Sequence, residues 1–147
     1  MKNASDKPKV VLDTKPLVKL FAQEEGWNHV QKILQKTETE EIDAAISVVT
    51  LTEIYYKYIQ EKRPDLAKTR TEELTYALYL KKLDINPHIA IKAGEFKGKY
   101  SISIADAFIA ATAYFEEATV ISDDPDYDKI PEIKTQTEKE FSAKLST

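Results

Sequence analysis

Short apolar runs separated by long helix-patterned stretches constrain this chain more than any other feature. Val10-Val11-Leu12, Ala44–Val49 and Thr119-Val120-Ile121 are short and contain β-branched residues, the pattern of buried strands. After the first run, Pro16 falls where a first helical turn would begin, a position that tolerates proline. Leu17, Val18, Leu20 and Phe21 then form an apolar face, and Gly26 closes the segment. Trp27, Val30, Ile33 and Leu34 recur at helical spacing, so Trp27–Lys36 is expected as a second helix, with Thr37–Glu41 as a loop. Beyond Thr50, the residues Leu51, Ile54, Tyr55, Tyr58 and Ile59 make the stripe of an amphipathic helix that Pro64 interrupts. Leu66 to Lys82 is a weaker helical segment, followed by a short strand at Leu83–Ile85. Asn86-Pro87 is suited to cap and start a helix carrying Ile89, Ala93 and Phe96 and stopping near Gly98. Ser103 to Glu117 has the strongest helical pattern. Ile133–Thr135 is expected as a last short strand, and Phe141 and Leu145, four apart, suggest a short docked helix in the tail.

Strands alternating with helices imply parallel pairing through right-handed crossovers, hence an α/β fold with a central parallel sheet in a three-layer α/β/α sandwich. The length fits one domain over residues 1–147, with a core at about 10–135 and a C-terminal tail at 137–147. The chain has no cysteine, which excludes disulfides, zinc-thiolate centres and thiol nucleophiles. No apolar run approaches the roughly 18 residues of a membrane span, and the Met1–Pro8 start is not signal-like, so a cytoplasmic protein is expected. With only three glycines there is no glycine-rich phosphate loop. A net charge of −4 argues against a passive nucleic-acid coat and leaves room for a local acidic metal site.

In parallel sheets, ligands bind beyond the carboxyl ends of the strands, and that is where acids accumulate here. Asp13 directly follows the first strand, and Asp124 lies just past Thr119–Ile121. Glu53 is expected in the first turn of the helix after Ala44–Val49, and Asp106 in the first turn of the Ser103 helix. Asp106 joins the same edge only if its helix also starts there. Converging carboxylates repel one another unless a cation or protons intervene. Oxygen ligands without His or Cys favour hard ions, Mg²⁺ or Mn²⁺. Phosphodiester hydrolysis is a natural use of such a site. Each acid also has a local explanation. Thr50-Leu51-Thr52-Glu53 and Ser103-Ile104-Ala105-Asp106 have capping-box spacing, and Asp13 and Asp124 suit turns. Only their joint placement favours a site.

Four stretches then resemble the PIN-domain family, within it the small toxin-type ribonucleases. They are Val10-Val11-Leu12-Asp13-Thr14, Ile46 to Ile54, Asp106 to Ala113, and Val120 to Tyr127. The match runs from Val10 to about Ile133. The resemblance implies an RNA-cleaving enzyme using Mg²⁺ or Mn²⁺, with Asp13, Glu53, Asp106 and Asp124 as catalytic and metal-binding acids. Thr14, Ser122 and Asp126 are the supporting residues in that reading. It further implies a homodimer and a co-encoded antitoxin protein that fills the acidic groove. Lys15 departs from the family pattern, which commonly has Ser or Thr at that position; it is expected to face solvent or a phosphate.

Two other function classes compete. A PIN-like RNA-binding or assembly module would keep the fold without turnover. A receiver-like phosphoacceptor domain also gathers acids at strand ends, but the Ala44–Val49 strand lacks a terminal Asp. Tyr55 and Tyr58 lie on the apolar stripe as core or dimer contacts, whereas Tyr56, with Lys57, Lys62 and Arg63 nearby, could stack a base. Lys92, Lys97 and Lys99 could line an RNA path, though scattered lysines more often form a solvated face, and His29 and His88 are isolated.

Overall fold

In the computed structural model, which describes residues 6–146, β1 (Lys9–Leu12) is the centre of a parallel sheet. The strands β2 (Asp43–Ser47), β3 (Lys81–Leu83), β4 (Thr119–Ile121) and β5 (Lys134–Gln136) complete it in the order β3-β2-β1-β4-β5. The register places Val11 beside Ala45 on one flank and Leu12 beside Ile121 on the other. The chain therefore leaves β1 toward one edge and returns to its other side through β4. That reversal opens a crevice at the carboxyl end of β1.

Side-chain alternation along the strands supplies both faces. Val10 and Leu12 pack with Leu17, Ile33, Ile46, Ile54 and Leu74 on one side, burying the apolar faces of α1 (Thr14–Ala22), α2 (Trp27–Glu38), α3 (Val48–Gln60) and α4 (Pro64–Tyr76). Val11 and Val120 point the other way, toward Ile89, Phe96, Ala107, Ile109 and Ala110 of α5 (Pro87–Tyr100) and α6 (Ile104–Glu116). The alanines of α6 leave little side-chain bulk between this helix and the sheet. The three-layer α/β/α sandwich expected from the alternating pattern is the observed fold.

Several boundaries differ from the sequence reading. Strand β2 ends at Ser47, not Val49, because the Ser47 hydroxyl accepts a hydrogen bond from the Val49 N–H and starts α3 there. The β-branched Val48-Val49 pair is thus helical, a local preference overruled by a cap. Pro64 opens α4 at its first position, where its missing N–H costs nothing, and that helix ends at Tyr76 so that β3 can pair. Helix α2 runs two residues beyond Lys36, and α5 passes Gly98 to end at Tyr100. Helix α1 ends at Ala22 with Gln23 as a left-handed cap, while Gly26 instead precedes α2 at φ 98°. A Cβ there would meet Glu138 Oε1 at 3.1 Å. Glu138 begins α7 (Glu138–Ala143), the docked tail helix, whose Phe141 is buried. Tyr58 is in the core as expected, but Tyr55 is exposed and packs in no core cluster.

Candidate active site

The site assembles at the carboxyl edge of β1 and β4. Asp13 follows β1 and caps α1 by accepting from the Thr14 N–H at 2.8 Å. Its N–H continues the strand pairing to the Ile121 carbonyl, so the acid is fixed by both elements. Asp124 follows β4 and caps a short 3-10 helix, Pro125–Lys129, by accepting from the Asp126 N–H. Asp106 lies in the first turn of α6, whose N-cap Ser103 accepts from the Asp106 N–H at 3.1 Å. Helix α6 therefore does start at this edge. One carboxylate oxygen from each of Asp13, Asp106 and Asp124 falls within 4.8 Å of the others.

Glu53 stands apart from that trio. Because α3 starts at Val48, Glu53 lies in the second helical turn and not the first, and no acid occupies the first turn of α3. The capping box expected at Thr50–Glu53 does not form; Thr50 is buried inside the helix. Glu53 accepts instead from the Thr14 hydroxyl at 2.6 Å, with Thr50 Oγ 3.1 Å from the same hydroxyl. It still lines the same cavity of about 500 Å³ as the three aspartates, together with Lys15, Tyr56, Lys57 and Asp126. A larger hollow of about 760 Å³ lies at the amino edge, beside Lys9, Thr119 and Lys134, away from this acid trio.

Two hydroxyls organise the trio. Ser122 donates to Asp13 Oδ2 at 2.7 Å and accepts from the Asp124 N–H at 3.0 Å, linking the acids after β1 and β4. Tyr127, which the sequence reading assigned no role, places its hydroxyl 2.9 Å from Asp13 Oδ1 and 3.0 Å from Asp106 Oδ1. A tyrosine three residues after an acid carries no sequence signal of such a contact. Asp126 pairs with Lys129 at 3.0 Å and supports Asp124 through its backbone N–H. Thr14 supports Glu53 as well as the first turn of α1.

Burial dominates the electrostatics. It pushes the Asp106 carboxyl up to about 6, assisted by the neighbouring charge of Asp13 and opposed by the Tyr127 hydrogen bond. Burial also raises Asp13, against the hydrogen bonds of Ser122 and Tyr127. Glu53 is raised by burial too, with the Thr14 hydroxyl opposing and Asp106 adding. The Tyr127 phenol is driven well above its ordinary range by burial and by both aspartates, so it stays a proton donor.

Lys15 and Lys57 line the cavity but pair with acids outside the trio. Lys15 is mostly exposed and reaches Asp123 at 3.8 Å, not the trio. Lys57 pairs with Glu61, and Lys92 and Lys99 with Glu95; Lys97 donates to the Ile102 carbonyl. Tyr56 is half-exposed on the cavity wall. Neither histidine lines that cavity: His29 faces the tail helix, and His88 lies against Phe115. The strand β2 ends in Ser47, leaving no acceptor Asp at the position a phosphoacceptor reading needs.

A parallel α/β/α sandwich with an acidic crevice at its strand-order reversal defines the architectural class. Within it the family is settled: the PIN-domain profile matches residues 10–133, and the chain belongs to the PIN-domain family. Comparison with curated protein sequences returns no match. Solved structures of similar fold include VapBC2 from Rickettsia felis bound to a promoter DNA fragment, with a TM-score of 0.70 at 18% identity, covering 88% of this chain and 98% of that one. DNA-bound VapBC from Salmonella typhimurium gives a TM-score of 0.70 at 20% identity, over 89% of this chain and 98% of that one. A toxin–antitoxin complex from Klebsiella pneumoniae gives 0.63 at 22% identity, over 88% and 97% respectively. Among the described residues, no helix is long and apolar enough to cross a membrane.

Proposed function

We propose that this chain is a metal-dependent endoribonuclease that hydrolyses RNA phosphodiester bonds, and the toxin of a toxin–antitoxin pair. The observation that carries the reading is the Asp13–Asp106–Asp124 trio, three carboxylates within 4.8 Å at the carboxyl edge of a PIN fold. The donor set fits a divalent cation. It is all oxygen and it converges, with one carboxylate oxygen of each acid within 4.8 Å of the others. Mg²⁺ or Mn²⁺ is the proposed ion. When bound, such an ion lowers the pKa of water and neutralises charge on a phosphodiester oxygen.

The protein's own groups have defined parts in this proposal. Asp13, Asp106 and Asp124 are the metal ligands, and Ser122 holds the first and last of them in register. Glu53 is the fourth catalytic acid, kept on the cavity wall by Thr14, and its burial-raised pKa moves proton uptake toward neutral pH. The antitoxin proposal draws on the fold shared with chains of toxin–antitoxin complexes, and a homodimer in the cytoplasm is proposed with it.

The test is cleavage of a mixed single-stranded RNA with Mg²⁺ or Mn²⁺, comparing wild type with Asp106→Asn. We expect metal-dependent cutting that falls by about 100-fold or more in the variant, because several kcal/mol of charge stabilisation is forfeited. Equal cutting by both proteins would reject Asp106 as part of the machinery. No cutting of any RNA by a wild type that binds Mg²⁺ would leave the chain an RNA-binding module.

A further inference from the structure

We propose that Tyr127 is a positioning residue for the cation site, its hydroxyl setting the separation of Asp13 and Asp106 before an ion arrives. This rests on the reading that the trio holds a divalent cation. The side chain is 1% exposed and packed in the core cluster with Val11, Ala110 and Val120. Its hydroxyl is, among the described residues, the one side-chain group hydrogen-bonded to both acids, 2.9 Å from Asp13 Oδ1 and 3.0 Å from Asp106 Oδ1. The same residue is joined to the third acid through the backbone, its N–H donating to the Asp124 carbonyl. One residue thus touches every member of the trio, although the acids come from a strand end, a helix start and a loop.

The chemistry of the contact suits a brace better than a counter-ion. A phenol has one hydrogen, so between two carboxylate oxygens it offers one short donor contact and no net charge. Lysine or arginine at this point would also draw the acids together, but it would neutralise the site and compete with the ion. The hydroxyl shares its single hydrogen between the two oxygens, fixing where both stand, and adds no positive charge that would compete with the ligand. Ring burial fixes where that hydroxyl stands, since a phenol in a packed core has little freedom to follow moving acids. The cost of bringing two carboxylates together is then met during folding, so less of the ion's binding energy is consumed in ordering them.

A core aromatic that merely satisfies its own hydroxyl makes a different forecast, because Phe would then serve equally. The experiment is calorimetric titration of wild type and Tyr127→Phe with Mg²⁺ and separately with Ca²⁺, alongside thermal unfolding in chelator. The ring is retained, so the variant keeps its packing volume. Groups that orient ligands typically govern about 10-fold or more in metal affinity, so Mg²⁺ binding should weaken by roughly 10-fold. Ca²⁺, which accepts looser geometry, should weaken by less than about 3-fold. A Mg²⁺ affinity within about two-fold of wild type overturns the proposal, whatever happens to the melting temperature. Equal loss for both ions also overturns it, because the hydroxyl would then matter without setting geometry. If wild type itself binds neither ion, the metal-site reading fails first, an outcome distinct from either of these.

Discussion

Asp123 and Asp124 are neighbours in the chain and belong to two acid clusters of opposite electrostatic design. Asp123 shares the Lys19 ammonium with Glu138, so α1, the loop after β4 and the tail helix α7 meet around one cation. The Lys19 hydrogen bond holds the Asp123 carboxyl below its usual range, and burial only partly offsets that. Burial alone would lower Lys19, but its bonds to Asp123 and Glu138 raise it. One residue further on, Asp124 enters a trio braced by Ser122 and Tyr127, both uncharged. There the Asp106 carboxyl rises to about 6. A cluster that carries its own cation ties its elements together from within. A cluster held together by neutral hydroxyls carries no cation of its own among the described residues. The contrast separates acids that join elements around a lysine from acids braced by hydroxyls.

The comparison can be broken most directly at Lys19. Lys19→Met leaves Glu138 buried at 3% exposure without its partner. Removing one member of a buried pair costs about 3 kcal/mol, so urea unfolding should show a loss of that size. Mg²⁺ affinity of the trio should meanwhile stay within about three-fold, which calorimetry would check; a parallel collapse would show that the two clusters act as one.

A smaller effect, of opposite sign, is expected in the trio. Asp106 has a raised folded-state pKa, so the folded protein holds its proton more tightly than the unfolded chain does. Its contribution to stability is fully present below the ordinary carboxylate pKa of 3.8 and is lost as pH rises through about 6. In chelator, the melting temperature at pH 7.5 should therefore gain about 1 kcal/mol equivalent in Asp106→Asn relative to wild type, after allowance for solvent screening. That gain should shrink on acidification toward pH 5, and thermal scans across this range would show it. Asp123 carries the reverse dependence, with stability present above its ordinary pKa and lost as pH falls through its lowered one.

The smallest effect is forecast for Lys15, which approaches Asp123 at 3.8 Å from a largely exposed position. Lys15→Ser should change stability by less than about 0.5 kcal/mol. Mn²⁺ affinity should remain within about two-fold in a titration, since the ammonium does not reach the trio. Tighter Mn²⁺ binding would mean that Lys15 reaches the trio in solution and competes with the ion.

How far the site could be read from sequence depended on whether each residue acts locally. Asp13 directly follows β1 and Asp124 lies three residues past the end of β4, and a parallel topology obliges strand ends to share an edge. Asp106 was legible as the third residue of a capped helix, though its arrival at that edge was not. The turn readings of Asp13 and Asp124 also hold, since each accepts from a nearby backbone N–H while lying in the trio. For these two acids, a local bond and a place in the trio coexist. Glu53 was misplaced by half a turn or more because Ser47 displaced Thr50 as the cap, and β-branched Val48-Val49 looked like strand.

Sequence by itself determined the alternation of strands and helices, the two-sided burial of β1 and β4, and the acids at their ends. These follow from periodicity and from the chemistry of caps, which act within a few residues. Only the tertiary structure decided that Tyr127 would meet Asp13 and Asp106 across 114 and 21 residues. It likewise decided that Lys19 would pair with Asp123 and Glu138 across 104 and 119 residues. Such contacts depend on strand order and on how helices pack against the sheet, and no pattern along the chain encodes them. The physical reason is range: a hydrogen bond or ion pair acts over a few ångströms, and only folding brings these residues that close.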